Sequence, residues 1–122
     1  YHAAAVMVSN QIVALADMGT ALLVKCGFSE AAAAEALSPL LLGNAQSVAE
    51  KGAVNALTGP IERGDAQTVS KHLQEIRKFA AESTVGQDIL TAYTALSKQL
   101  IRIAQQKHPH KDYKHLEKEL EQ

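Results

Sequence analysis

Residues 2–26 constrain this chain more than any other stretch, because they form an apolar run with a helical period and almost no interruption. The run contains no Pro, its only internal Gly is Gly19, and Gly27 supplies a natural stop. The pattern predicts one long helix, about 35 Å at about 1.5 Å rise per residue. At about 100° per residue, His2, Ser9, Asn10, Asp17 and Thr20 fall within one polar stripe roughly 100° wide. The rest of the helix surface is apolar except for Gln11 and Lys25. Such a helix needs cover on most sides, at the centre of the domain, in a subunit interface, or in both.

Composition narrows the class. With 122 residues, 47% of them hydrophobic, the chain can bury one core and is expected to form one main domain. The apolar residues are mainly Ala, Leu and Val, and aromatics make up only 4%, which suits close-packed helices better than a sandwich of strands. A net charge of -1 argues against a nucleic-acid partner. Cys26 is the single cysteine, so no intramolecular disulfide can form, and a reducing compartment is the simpler expectation. No basic segment precedes the apolar run, and Asn10, Gln11, Asp17 and Thr20 are expected to interrupt it short of a membrane span. The expectation is a soluble, cytoplasmic protein without a membrane partner. The chain starts at Tyr1 rather than Met, which reads as a piece of a longer protein.

Further along, Ser29 is a good N-cap, with Glu30 in the first turn of an Ala-rich helix over 30–37. Ser38-Pro39 is expected to kink or restart that helix, which then continues to about Lys51 and stops near Gly52. A short helix or turn over 53–57 leads into Thr58-Gly59-Pro60-Ile61-Glu62-Arg63-Gly64-Asp65, the densest turn chemistry in the chain. Asp65 is predicted to cap a helix over 66–80 that buries Val69, Leu73, Ile76 and Ala80. A last long helix over about 85–106 shows Ile89, Tyr93, Leu96, Leu100 and Ile103 at spacings of three and four. Pro109 ends it and opens a polar tail, 107–122, in which Tyr113, Leu116 and Leu120 could form a short amphipathic helix. No strand pattern and no repeat is visible, so the fold class is all-α.

Candidate chemistry is sparse. Gly59 and Gly64 have the wrong spacing for a phosphate loop and follow no strand, so no cofactor is expected on this chain. The polar stripe is either a wet edge or a pocket wall, in which His2 and Asn10 could orient a carbonyl or hydroxyl. The turn 58–65 is either a connector or an anion site, with Arg63 just ahead of a helix N-terminus. Thr68 and His72 lie one turn apart on the helix that Asp65 opens, and His72 reads first as a structural histidine. Cys26 sits in a last helical turn, where the dipole disfavours a thiolate. His108, His110 and His115 lack the spacing of a zinc site and read as part of a solvated tail, so no metal is expected.

Tyr1-His2-Ala3-Ala4, Asn10, Leu57-Thr58-Gly59-Pro60-Ile61, Arg63-Gly64-Asp65, Thr68-Val69 and His72-Leu73 together resemble a bacterial family of helical domains of unknown function. In that family the domain follows a Rossmann-like domain, in proteins described as NADP-dependent oxidoreductases. The likeness covers about residues 1–105. It implies a fold similar to the C-terminal domain of 6-phosphogluconate dehydrogenase, also met in pyrroline-5-carboxylate and ketopantoate reductases, built around a long central first helix. It further implies that NADP binds the missing N-terminal domain, while this chain (1–106) supplies a substrate wall and a homodimer interface. The motif positions carried over as candidate substrate-binding residues are His2, Asn10, Thr58, Gly59, Pro60, Arg63, Gly64, Asp65, Thr68 and His72. Relatives that oxidise hydroxyacids use a Lys and an Asn on the long helix; here its only Lys is Lys25, at the far end. The alternative expectation is a non-enzymatic helical interaction or regulatory module.

Overall fold

Ser9 decides where the first helix ends. In the computed structural model, which describes every residue from Tyr1 to Gln122, the chain is all-α, as expected. Its helices are α1 (His2–Val8), α2 (Asn10–Lys25), α3 (Glu30–Ala56), α4 (Pro60–Arg63), α5 (Ala66–Glu82), α6 (Thr84–Lys107) and α7 (Lys114–Glu121). They belong to two compact units, Tyr1–Ser47 and Val48–Gln122. The division falls inside α3.

In the first unit, the single helix expected over 2–26 is broken between α1 and α2. Ser9 leaves helical geometry at φ -118° and ψ -74°, and its Oγ donates to the Ala5 carbonyl at 2.6 Å. A serine hydroxyl that bonds the carbonyl four residues back competes with the backbone ladder and bends it. His2 and Asn10 thus lie on either side of an irregularity. The expected burial is also absent within this unit: only Ala33 is fully buried there, while Val13 is 70% and Leu42 71% exposed. Counted as one run, His2–Lys25 spans 24 residues with none of its most apolar window buried. By length and composition this run is long and apolar enough to cross a membrane, so its polar residues do not shorten it as expected.

Ser29 caps α3 by accepting the Ala32 N–H at 3.1 Å, as the sequence suggests. Pro39 does not break α3; the break comes at Gly52, with φ 80° and ψ 166°. Proline removes only one bond of the ladder, and the Ser38 hydroxyl bonds the Ala34 carbonyl at 2.8 Å one turn earlier. A single lost bond is tolerable within a helix that is regular on both sides.

The second unit holds a true core. Ile61 of α4, Val69 and Leu73 of α5, Ile101 and Ala104 of α6, Tyr113, and Leu116 and Leu120 of α7 are buried against one another. Helices α5 and α6 form a tight antiparallel hairpin. Ser83 is its corner, accepting the Gly86 N–H at 3.0 Å. At Gly86 the two backbones approach so closely that a Cβ would overlap the Phe79 carbonyl. The buried face of α6 is Gly86, Ile89, Ser97, Ile101 and Ala104, which differs from the stripe read from sequence. Leu96 is exposed, whereas Ser97 beside it is buried. Spacings of three and four describe several faces of one helix, and the α5 contact selects among them.

The C-terminal segment is not a solvated tail. Tyr113, Leu116 and Leu120 are among the best-buried residues in the chain, so 107–122 completes the core. Leu116→Ala is expected to cost about 3 kcal/mol of unfolding free energy, measured by urea denaturation. Gly86→Ala should destabilise by about 2 kcal/mol through overpacking, although the same change in an ordinary helix stabilises.

Candidate functional site

The residues flagged around 58–72 form a compact turn followed by the start of α5. Gly59 takes φ 101°, and Pro60 occupies the first position of α4. After one turn, Gly64 adopts the left-handed conformation at φ 73°. Its N–H donates to Ile61 O at 3.0 Å, and that of Asp65 donates to Pro60 O at 2.8 Å. This pair of bonds is the Schellman closure of a helix, which a side chain at Gly64 would strain.

Asp65 then reverses role and opens α5. One carboxylate oxygen accepts the Thr68 N–H at 3.0 Å and the other accepts the Thr68 hydroxyl at 2.7 Å. These two bonds hold the carboxyl below its ordinary 3.8, aided by the nearby Arg63 and Lys71 charges and opposed by desolvation. The helix start expected to receive an anion is thus already filled by the chain's own carboxylate, and the Thr68 hydroxyl is committed to it. Arg63 remains exposed beside this cap.

The C-terminal segment braces the same turn. Lys107 Nζ donates to Leu57 O at 2.8 Å and lies 3.9 Å from the Glu62 carboxylate. His108 Nε2 is 3.4 Å from that carboxylate, and the Tyr113 hydroxyl donates to Glu62 O at 2.9 Å. Burial, and secondarily Glu62, pushes the Tyr113 phenol above its ordinary value. His108 is therefore half-buried against α4 rather than free in solvent. His110 and His115 are exposed and do not join it in a metal-binding group.

One turn beyond Thr68, a second polar group crosses from α5 to α6. His72 Nδ1 lies 3.0 Å from the Tyr93 hydroxyl, with the rings edge to face at 6.1 Å and 88°. Tyr93 is half-buried against the core, and burial raises its phenol above the ordinary value while a bond from Ser97 works against that. Ser97 is the one polar side chain buried in the chain, at 3% exposure. A buried hydroxyl is costly unless bonded, and no buried side-chain oxygen or nitrogen in the chain lacks a partner.

Of the ten candidates, eight (Thr58, Gly59, Pro60, Arg63, Gly64, Asp65, Thr68 and His72) lie in the second unit, where Asp65 and Thr68 bond directly. His2 and Asn10 lie in the first unit and are exposed. Sequence reading missed Tyr93, which it assigned to an apolar stripe, and Ser97 altogether. It also missed Glu62, Lys107 and Tyr113 as parts of one network. The only signal for Tyr93 was a polar atom on a residue due for burial, which must find a partner. A cleft of about 350 Å³ between α6 and α7 is lined by Lys98, Arg102, Glu117 and Glu121, none of which is a candidate.

The chain belongs to the DUF2520 family, a domain of unknown function, whose model matches residues 1–100. No curated protein and no solved structure matches it. The family match ends before α7, so Tyr113, Leu116 and Leu120 lie beyond it.

Asp65 has a depressed carboxyl in the folded chain, so its contribution to stability is present above pH 3.8 and is lost as pH falls through the lower folded value. Asp65→Ala is expected to lower the urea midpoint at neutral pH. Its gap from wild type should close on acidification below that range. A gap independent of pH would show that the carboxylate charge is not what caps α5.

Proposed function

We propose that this chain is the C-terminal substrate-binding and dimerisation domain of an NADP-dependent oxidoreductase whose nucleotide-binding domain precedes it. The observation that carries this reading is the division of labour between the units. The first unit exposes an apolar surface with almost no core of its own, which calls for a partner. The second unit has a complete core and presents the motif residues on a braced turn and on α5. NADP is assigned to the companion domain, because an all-helical chain offers no strand followed by a Gly-rich turn to hold a dinucleotide in the Rossmann manner.

Covering the apolar run with a second copy is a better solution than a membrane. A span would bury Asp17 near its middle, at a cost of about 3 kcal/mol. A protein interface can leave the face with Asp17 and Thr20 wet. A cytoplasmic location follows from the same reading.

Light scattering of the chain should give twice the mass of one copy, and Val13→Asp should return it to one. A monomer at high concentration would remove the dimerisation claim. The cofactor claim is checked by fluorescence titration of the complete protein with NADPH, where saturable binding is expected.

A further inference from the structure

We infer that Tyr93 and His72 form a docking point for a substrate carbonyl or imine, in which a change of histidine tautomer frees the phenol proton for the ligand. The inference deepens the substrate-domain reading, on which it rests, by naming the ligand class and the atoms that meet it.

Three observations carry it. First, Ser97, Tyr93 and His72 form one line of hydrogen-bonding groups from the core to bulk water: Ser97 is buried, Tyr93 half-buried and His72 exposed. Second, Ser97 puts a buried hydroxyl one helical turn beyond Tyr93 on α6, where an apolar residue would pack at no polar cost. Third, His72 is one of the motif residues, while its α5 neighbour Thr68 is already consumed by Asp65. Of these two motif side chains, only His72 therefore keeps a side-chain donor not committed to Asp65.

The chemistry follows from the 3.0 Å contact between Nδ1 and the phenol oxygen. A neutral imidazole carries one N–H, so either Tyr93 donates to a bare Nδ1 or Nδ1–H donates to Tyr93. In the first state the phenol proton is occupied by His72, and Nε2–H faces solvent. In the second, Nε2 has released its proton to water and Nδ1 has taken one from water, leaving the charge unchanged. Tyr93 then accepts from His72 and turns its own O–H toward the ligand. A carbonyl oxygen or imine nitrogen is the fitting partner, because it accepts one such bond and needs no counter-charge. Burial favours the neutral phenol, which keeps Tyr93 a donor.

The test uses the whole chain labelled with ¹⁵N-histidine and titrated with cyclohexanone or 1-pyrroline to about 50 mM, above the millimolar affinity expected of fragments. The expected result is a saturable shift of the His72 proton from Nε2 to Nδ1. Tyr93→Phe, which keeps the packed ring, should abolish the tautomer change and weaken binding about tenfold. Ser97→Ala should weaken it a few-fold, with the tautomer change preserved. A ring that keeps its starting tautomer throughout, or a Tyr93→Phe chain that responds like wild type, overturns the inference. If that happens while the complete protein binds NADPH, the oxidoreductase reading stands and only the docking point falls. A tautomer change without NADPH binding keeps the docking point and removes the redox reading.

Discussion

The close approach of α5 and α6 at Gly86 is the constraint on which the second unit depends. Two helices joined by a single corner residue can stack only if the backbone of one reaches the other, and a side chain at Gly86 would block that. With the corner set, Ile76 and Ile89 are buried on the two arms of the hairpin, and Ile101 and Ala104 join Val69 and Leu73 in the core. The same pairing aims Tyr93 at His72. The crossing pair of Tyr93 and His72 is thus a consequence of a steric requirement about two helical turns away.

The turn Thr58–Asp65 depends on a different set of contacts. Its own closure is local, through Gly64 and Asp65, and would form in a short peptide only marginally. What holds it in place is the C-terminal segment, through Lys107, His108 and Tyr113, together with Ile61 in the core. These partners lie about fifty positions away in sequence. A family motif and a segment beyond the family match are therefore one mechanical element.

The first unit follows the opposite logic. Its helices are regular, yet their apolar side chains meet little within the unit. Helix formation there satisfies the backbone, whereas the hydrophobic side chains gain little until a partner covers them. The chain thus joins one unit with a core of its own to one whose apolar side chains stay largely exposed.

Local chemistry was readable from the sequence alone: the all-α class, the caps at Ser29 and Asp65, the stop at Gly52, and the Val69–Leu73–Ile76 face of α5. Each depends on neighbours within about four residues, where propensity, capping and periodicity act directly. The break at Ser9 was missed because it turns on small differences between competing backbone bonds. Tertiary structure alone decided the burial of Tyr113, Leu116 and Leu120, the choice of Ser97 over Leu96 for the inner face of α6, and the meeting of Tyr93 with His72. Those outcomes depend on which surfaces come together over long separations, and a helical period allows several faces while packing admits one.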